Sequence, residues 1–284
     1  MVGLGLIGGS AALALRAAGH HVVGYARREA TRTLAQEMGA VDEAPAALAD
    51  AVKADVVLLT PPVLAIRDLL QEIATHLTDG TVVTDAASTK RHVERWALET
   101  LPATVHWVGG HPMAGKETAG LEHADGALFR GRTWCIVPPP GADPVAVRVV
   151  TQLAADSGAR TLEIDAAAHD RAVAVVSHLP FTAAAALADA VICDPRFGEI
   201  AAIAGTGLRD MTRLASGDAT MHRDIVLTNR DNLVESLGHY VACLQSALSM
   251  LKGEADGENG DAASELGEYF ARLKSARDAW LAGA

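Results

Sequence analysis

The chain has 284 residues, 50% of them hydrophobic and 21% charged, with a formal net charge of −11. That length accommodates two modest domains, the apolar content excludes disorder throughout, and the acidic balance disfavours nucleic acid and anionic membranes as partners. Cys135, Cys193 and Cys243 are widely spaced with no C-x-x-C pairing. This argues against a disulfide framework or a bound metal and for reduced thiols in the cytoplasm. No apolar run is expected to span a bilayer, and no signal peptide is expected.

Met1 and Val2 run straight into Gly3, where a first strand of a sheet should contribute about five residues. Either the natural start lies upstream, or the central strand is short at a cost in stability. Beyond it, short apolar runs alternate with amphipathic segments. Strands are expected at residues 22–25, 55–60, 81–84, 105–108 and 134–137, and helices at 10–18, 31–38 and 63–76. Near-continuous apolar strands alternating with helices predict a parallel sheet covered on both faces. A helix at 144–157 and a strand near 161–164 follow. Then the strand signal stops. Residues 166–190 read as one Ala-rich helix containing Pro180, 221–251 as another long helix, 253–261 as a flexible acidic loop and 266–281 as a closing amphipathic helix. The expected architecture is α/β: a doubly wound Rossmann-type domain over residues 1–165, followed by an all-helical domain over 166–284. The long Ala- and Leu-rich helices need a partner for their apolar stripes, which predicts a homodimer.

Gly3, Gly5 and Gly8 form a G-x-G-x-x-G with Leu6 and Ile7 at the start of the following helix. Such a turn brings backbone and a helix N-terminus up to a dinucleotide pyrophosphate. Thr60 and Pro61, which end the 55–60 strand, join these five as cofactor-binding candidates, as does Asp85. An NAD site usually places an acid after the second strand, yet here the chain reads Ala26-Arg27-Arg28. The two arginines suit a 2′-phosphate; the competing reading is a solvated helix start. NAD or NADP is therefore expected, with a lean to NADP.

Four segments place polar groups where burial is costly. Asp85-Ala86-Ala87-Ser88-Thr89-Lys90 follows a strand, the usual ligand edge of such sheets. His111-Pro112-Met113-Ala114-Gly115 is expected as a second strand-end loop, with His111 either a general base or a turn-capping histidine. Ser177-His178-Leu179-Pro180 lies in the long helix, where His178 reads as a histidine beside a kink. Arg209 to Arg213 opens a polar stretch after Gly205-Thr206-Gly207. Asp85 either orients a loop or caps the helix after it.

GLGLIGGS (3–10), DAASTK (85–90), GGHPMAGKETAG (109–120), HD (169–170), SHLP (177–180) and RDMTR (209–213) occur in that order. This set resembles the prephenate/arogenate dehydrogenase family of tyrosine biosynthesis over nearly the whole chain, and GGHPMAG is its most specific part. The resemblance implies a Rossmann domain, a helical dimerisation domain, and NAD(P)-dependent oxidative decarboxylation of a cyclohexadienol carboxylate. It implies His111 as the catalytic base and Ser88 as its catalytic helper. Arg213 would pair with a substrate carboxylate, and His178 is a further substrate-binding candidate. Family members often read SHLPH; here Phe181 stands at the last position. Prephenate is the expected substrate and arogenate the alternative, with another β-hydroxyacid-type dehydrogenase behind both.

Overall fold

The computed structural model describes residues 1–116, 118–255 and 260–283. It divides into two compact units, Met1–Leu233 and Val234–Ala284. The first begins with α1 (Leu6–Ala17), α2 (Glu29–Glu37), α3 (Leu48–Ala51), β1 (Val56–Leu59), α4 (Val63–Ala74), β2 (Val82–Asp85), α5 (Arg91–Thr100), β3 (His106–Trp107) and β4 (Gly109–Pro112). It continues with β5 (Thr133–Val137), α6 (Pro144–Asp156), β6 (Arg160–Glu163) and α7 (Ala166–Val173). A widened turn at Ala174–His178 leads to α8 (Leu179–Ile192), α9 (Phe197–Ile200), α10 (Thr206–Thr212) and α11 (Ala219–Thr228). The helix α12 (Arg230–Ala255) runs out of this unit, and α13 (Gly260–Ala282) lies in the second.

β1, β2 and β3 pair in parallel, as their apolar runs predict. Alternate residues of these strands feed opposite faces. Leu58 and Val82 join Ala11, Leu15, Ile136 and Val150 in one cluster, while Val57, Leu59 and Val83 join Ile66, Leu70, Ile73 and Val93 in the other. The place of the central strand is filled by Met1 and Val2. Val2 bridges both Tyr25 and Leu59 in parallel, and its N–H donates to Leu58 O at 2.9 Å. The strand expected at 22–25 is thereby reduced to isolated bridges at Val23 and Tyr25, because a two-residue neighbour cannot support a longer ladder.

Five expectations are corrected. His111 is not in a strand-end loop: it lies within β4, which pairs antiparallel with β5, so the second sheet, β4-β5-β6, is mixed. The helix expected over 221–251 breaks at Asn229, whose φ of −130° is not helical and whose side chain is needed elsewhere. The helix over 166–190 carries a π turn in which Leu179 N donates to Ala174 O, five residues back. The 27 continuous helical residues Ala166–Ile192 contain an 18-residue window of mean hydropathy 1.6, long and apolar enough to cross a membrane by length and composition. Its Asp170 and His178 are instead buried and bonded inside the first unit. The loop expected at 253–261 is instead helical at 253–255 and 260–261, the ends of α12 and α13, and its residues 256–259 lie outside the described residues.

The π turn sets the register of that helix. At about 100° per residue, Asp170 and His178 would face about 80° apart in an unbroken α-helix. A widened turn absorbs one residue and brings them to within about 20°; on that side of the helix Asn229 meets the His178 ring and the main-chain carbonyl of Asp170.

Candidate active site

The glycine turn is built by backbone and by missing side chains. Gly3 has φ of +101°, a conformation that favours glycine. Its N–H donates to Tyr25 O at 2.9 Å. A Cβ at Gly8 would collide with Gly3 O, so only glycine lets α1 pack this closely. Thr60 closes the turn from β1, its Oγ1 donating to Gly3 O at 2.6 Å, and Pro61 follows beside it. At Gly5 a Cβ would meet nothing within 4 Å, and Gly5 caps α1 without any side-chain bond. The first N–H groups of α1, from Leu6 and Ile7 onward, thus face open space with a positive dipole end. That cradle fits a pyrophosphate. Arg27 and Arg28 are exposed at the head of α2. Arg32, which sequence reasoning missed, folds its guanidinium back from the same helix, donating to Ala26 O at 2.7 Å and Arg27 O at 3.2 Å.

The second half of the site is a buried polar network drawn from five segments. Asp85, Lys90, His169, Asp170 and His178 are each 1% exposed or less, and His111 is 8% exposed. His169 Nδ1 lies 2.9 Å from Asp170 Oδ1, and His111 Nδ1 lies 2.9 Å from His169 Nε2. A carboxylate only accepts, so His169 must donate from Nδ1 and accept at Nε2. His111 then donates from Nδ1, and its Nε2 carries the lone pair. This assignment follows from the network. His111 Nε2 makes no hydrogen bond among the described residues. Asp170 also accepts from the backbone N–H groups of Lys90 at 2.7 Å and Arg91 at 3.0 Å.

Asn229 extends the network. Its amide donates to Asp170 O at 2.7 Å and to His178 Nδ1 at 3.1 Å, while its carbonyl oxygen accepts from Asn232 at 2.7 Å. His178 therefore keeps its proton on Nε2, and that buried N–H has no partner among the described residues. Burial, chiefly, together with the neighbouring His169, Lys90 and His178, holds the His111 imidazole well below the ordinary histidine pKa. Burial likewise pulls His178 down to about 4. Both rings are neutral at pH 7, one presenting an acceptor and the other a donor.

The remaining candidates are placed as follows. Asp85 is fully buried; Oδ2 accepts from Ala87 N at 2.9 Å and from the Lys90 ammonium, and Oδ1 accepts from Gly110 N at 3.1 Å. Ser88 is half-buried on the segment between β2 and α5, and its hydroxyl makes no hydrogen bond among the described residues. Arg213 is exposed, just past α10, in a 3-10 turn at Arg213–Ser216. Phe181 stacks on His222, with ring centroids 4.1 Å apart and 8° between planes. His169 and Asp170 are visible in sequence only as a dipeptide, and Lys90 and Asn229 carry no sequence signal of burial.

Two family models together match most of the chain. "Prephenate dehydrogenase, nucleotide-binding domain" matches residues 11–163, and "Prephenate dehydrogenase, dimerization domain" matches residues 165–272. The chain belongs to the prephenate dehydrogenase family. It is an NAD-dependent oxidoreductase with a helical second part, as the motif order implied. A Bacillus subtilis prephenate dehydrogenase is 31% identical over 98% of this chain and 74% of its own length. Among solved structures, Aquifex aeolicus prephenate dehydrogenase in complex with hydroxyphenyl propionate and NAD+ superposes with a TM-score of 0.86 at 30% identity, covering 97% of this chain and 95% of that one. Synechocystis arogenate dehydrogenase gives a TM-score of 0.82 at 29% identity, with 98% of each chain covered. The family thus includes relatives named for either substrate.

Proposed function

We propose that this member of the family is a prephenate dehydrogenase, converting prephenate to 4-hydroxyphenylpyruvate with loss of CO2, in the cytoplasm. The observation that carries the reading is the unengaged lone pair on His111 Nε2, at the end of the His111–His169–Asp170 chain. A neutral imidazole can take the proton of the ring hydroxyl as hydride leaves the same carbon. Asp170, acting through His169, offsets the positive charge that develops on His111. When bound, the nicotinamide supplies the hydride acceptor. Loss of CO2 from the ring makes it aromatic, which drives the step forward.

In this reading Gly3, Gly5, Leu6, Ile7, Gly8, Thr60 and Pro61 hold the dinucleotide. Asp85 supports the fold of the site from behind, since no oxygen of it faces outward. His178 Nε2–H is a donor for a substrate oxygen, Arg213 pairs with a carboxylate, and Ser88 offers a hydroxyl. The division at residue 165, with cofactor binding before it and assembly after it, is supported by the two family matches. Cytoplasmic residence is supported by three unpaired thiols, Cys135, Cys193 and Cys243. Arogenate is the second reading, favoured by one observation: Phe181 is stacked against His222 and offers no hydrogen bond to a substrate side chain.

A steady-state assay of prephenate or arogenate, each with NAD or NADP, tests the proposal. Turnover with prephenate is expected. NADP should serve at least as well as NAD, because Ala26 replaces the ribose-binding acid and Arg27 and Arg28 are exposed beside it. A tenfold higher kcat/KM with NAD would reduce those arginines to surface charge. Activity with neither substrate would overturn the assignment.

The protein is further proposed to be a homodimer. Val234, Val241 and Leu248 recur every seven residues along α12, and Leu244 and Leu251 repeat the spacing beside them, all exposed. Light scattering at micromolar concentration should give twice the chain mass, and a monomeric mass would refute this.

A further inference from the structure

The chemistry assigned to His111 leaves one buried group unused. Lys90 is 1% exposed, and few lysines are buried this deeply without a reason. Its ammonium donates to Asp85 Oδ2 and, at 2.6 Å, to Gly110 O. Asp85 Oδ1 in turn accepts Gly110 N. Both polar groups of the residue immediately before His111 are therefore held by one ion pair. Gly110 cannot yield sideways either, since a Cβ there would meet Asp85 O at 2.5 Å and Trp134 Nε1 at 3.0 Å. At its other end, the Lys90 N–H binds Asp170 Oδ1, the same oxygen that His169 engages.

We infer that Lys90 is a positioning residue for His111, fixing its backbone through Gly110 with the ammonium and its ring through Asp170 and His169 with the amide. This rests on His111 being the base. A buried ion pair is a poor device for stability alone, because apolar residues of similar volume do as well or better. It is a good device for holding a peptide and a carboxylate in one arrangement, and an aligned base is worth orders of magnitude in rate. The cation also adds to the positive potential at His111 and helps keep it neutral. The other ionisable groups facing His111 are Asp85 beside Lys90, Cys135 opposite it on β5, His169 and Asp170 on α7, and His178 in the π turn. Losing the Lys90 charge while Asp85 remains should therefore raise the proton affinity of His111.

The test uses the full-length protein in two forms, Lys90→Met and the charge-neutral Asp85→Asn/Lys90→Met, with His111→Asn alongside. Active sites are counted by NAD binding, and folding by thermal melting. Expected is a fall in kcat per NAD-binding site of at least tenfold in both Lys90 forms, with NAD affinity within threefold of the parent. In Lys90→Met the acidic limb of kcat/KM should also move to higher pH. A merely structural lysine would lower the melting temperature and leave both kcat per site and the pH profile alone. Wild-type kcat per site and an unmoved acidic limb in whichever form folds would overturn the inference. If His111→Asn keeps its kcat, the base itself is misassigned, a different failure from this one. In the parent enzyme, the Gly110 amide should be among the slowest to exchange with deuterium. Exchange as fast as a solvent-exposed amide would overturn the clamp without any variant.

Discussion

The glycine turn and the histidine network are built in opposite ways. The turn is nearly contiguous, residues 3–8 closed by Thr60, and works through what is missing: no Cβ at Gly8, none at Gly5, and no capping side chain on α1. The network draws on segments from Asp85 to Asn229 and works through side chains that are almost entirely buried and bonded to one another. Binding a pyrophosphate needs space and free N–H groups, which a short stretch of backbone supplies. Proton transfer needs a fixed tautomer, and a histidine cannot fix its own. Each ring here is set by a partner elsewhere in the network. The first region should therefore tolerate changes that spare its backbone, whereas the second should fail when any one link is cut.

The largest expected effect is at the end of that network. His111→Asn keeps the size but has no base, so kcat should fall by about 10²–10⁴-fold, with cofactor affinity nearly unchanged. In the parent, the acidic limb of kcat/KM should lie below the ordinary histidine pKa, because His111 is held well below it. An acidic limb that survives in His111→Asn would identify another base.

A smaller effect concerns stability. His178 has its pKa lowered to about 4 in the folded chain, from 6.5. The folded state thus binds fewer protons than the unfolded one in this window. Stability at this site is intact above pH 6.5 and is lost as pH falls toward 4, by on the order of 3 kcal/mol. Urea unfolding of His178→Asn should show a shallower decline over that range; an identical slope would mean that the buried ring carries no such penalty.

The smallest effect separates the two regions most sharply. Gly5→Ala meets no protein atom within 4 Å, so the melting temperature should not move. Yet its methyl would enter the space left for the pyrophosphate, and NAD binding should weaken by about tenfold. Gly8→Ala should lose stability as well, because its methyl meets Gly3 O. Equal NAD affinity in Gly5→Ala and the parent would mean that the cradle lies elsewhere.

The same contrast explains what can be read from the sequence. The parallel strands, the glycine turn and most helices of the first unit follow from local periodicity and punctuation, each read from a short stretch of chain, although Thr60, which closes the turn, stands 57 residues from Gly3. His111 stands out as a residue but not in its setting: GGHP carries no apolar alternation, and nothing local shows that β5 pairs with it in reverse. The partners that fix its tautomer show in sequence only as the dipeptide His169-Asp170, with no sign that they meet His111, because they are separated from it by more than fifty residues and the surrounding Ala-rich pattern reads the same with or without them facing inward. Lys90 looks like an ordinary helix-starting lysine. Asn229 is hidden inside a run that reads as one helix, and its departure from helical φ is what releases its side chain to reach Asp170 and His178.

The π turn at Ala174–His178 means that the distance along the chain from Asp170 to His178 is one residue longer than a plain helix would need. Val175 and Val176, both exposed there, are where the surplus is carried. Deleting either one would let the segment close into an ordinary α-helix with seven steps between the two side chains, which still leaves them about 20° apart. Deleting both would turn His178 by a further 100° or so and take it off the face that Asn229 meets. Two relatives of this chain could therefore differ by one residue in this stretch and keep the same pair of buried side chains together, one with the bulge and one without. A two-residue gap at the same place would instead mark a chain in which the histidine has lost its amide partner.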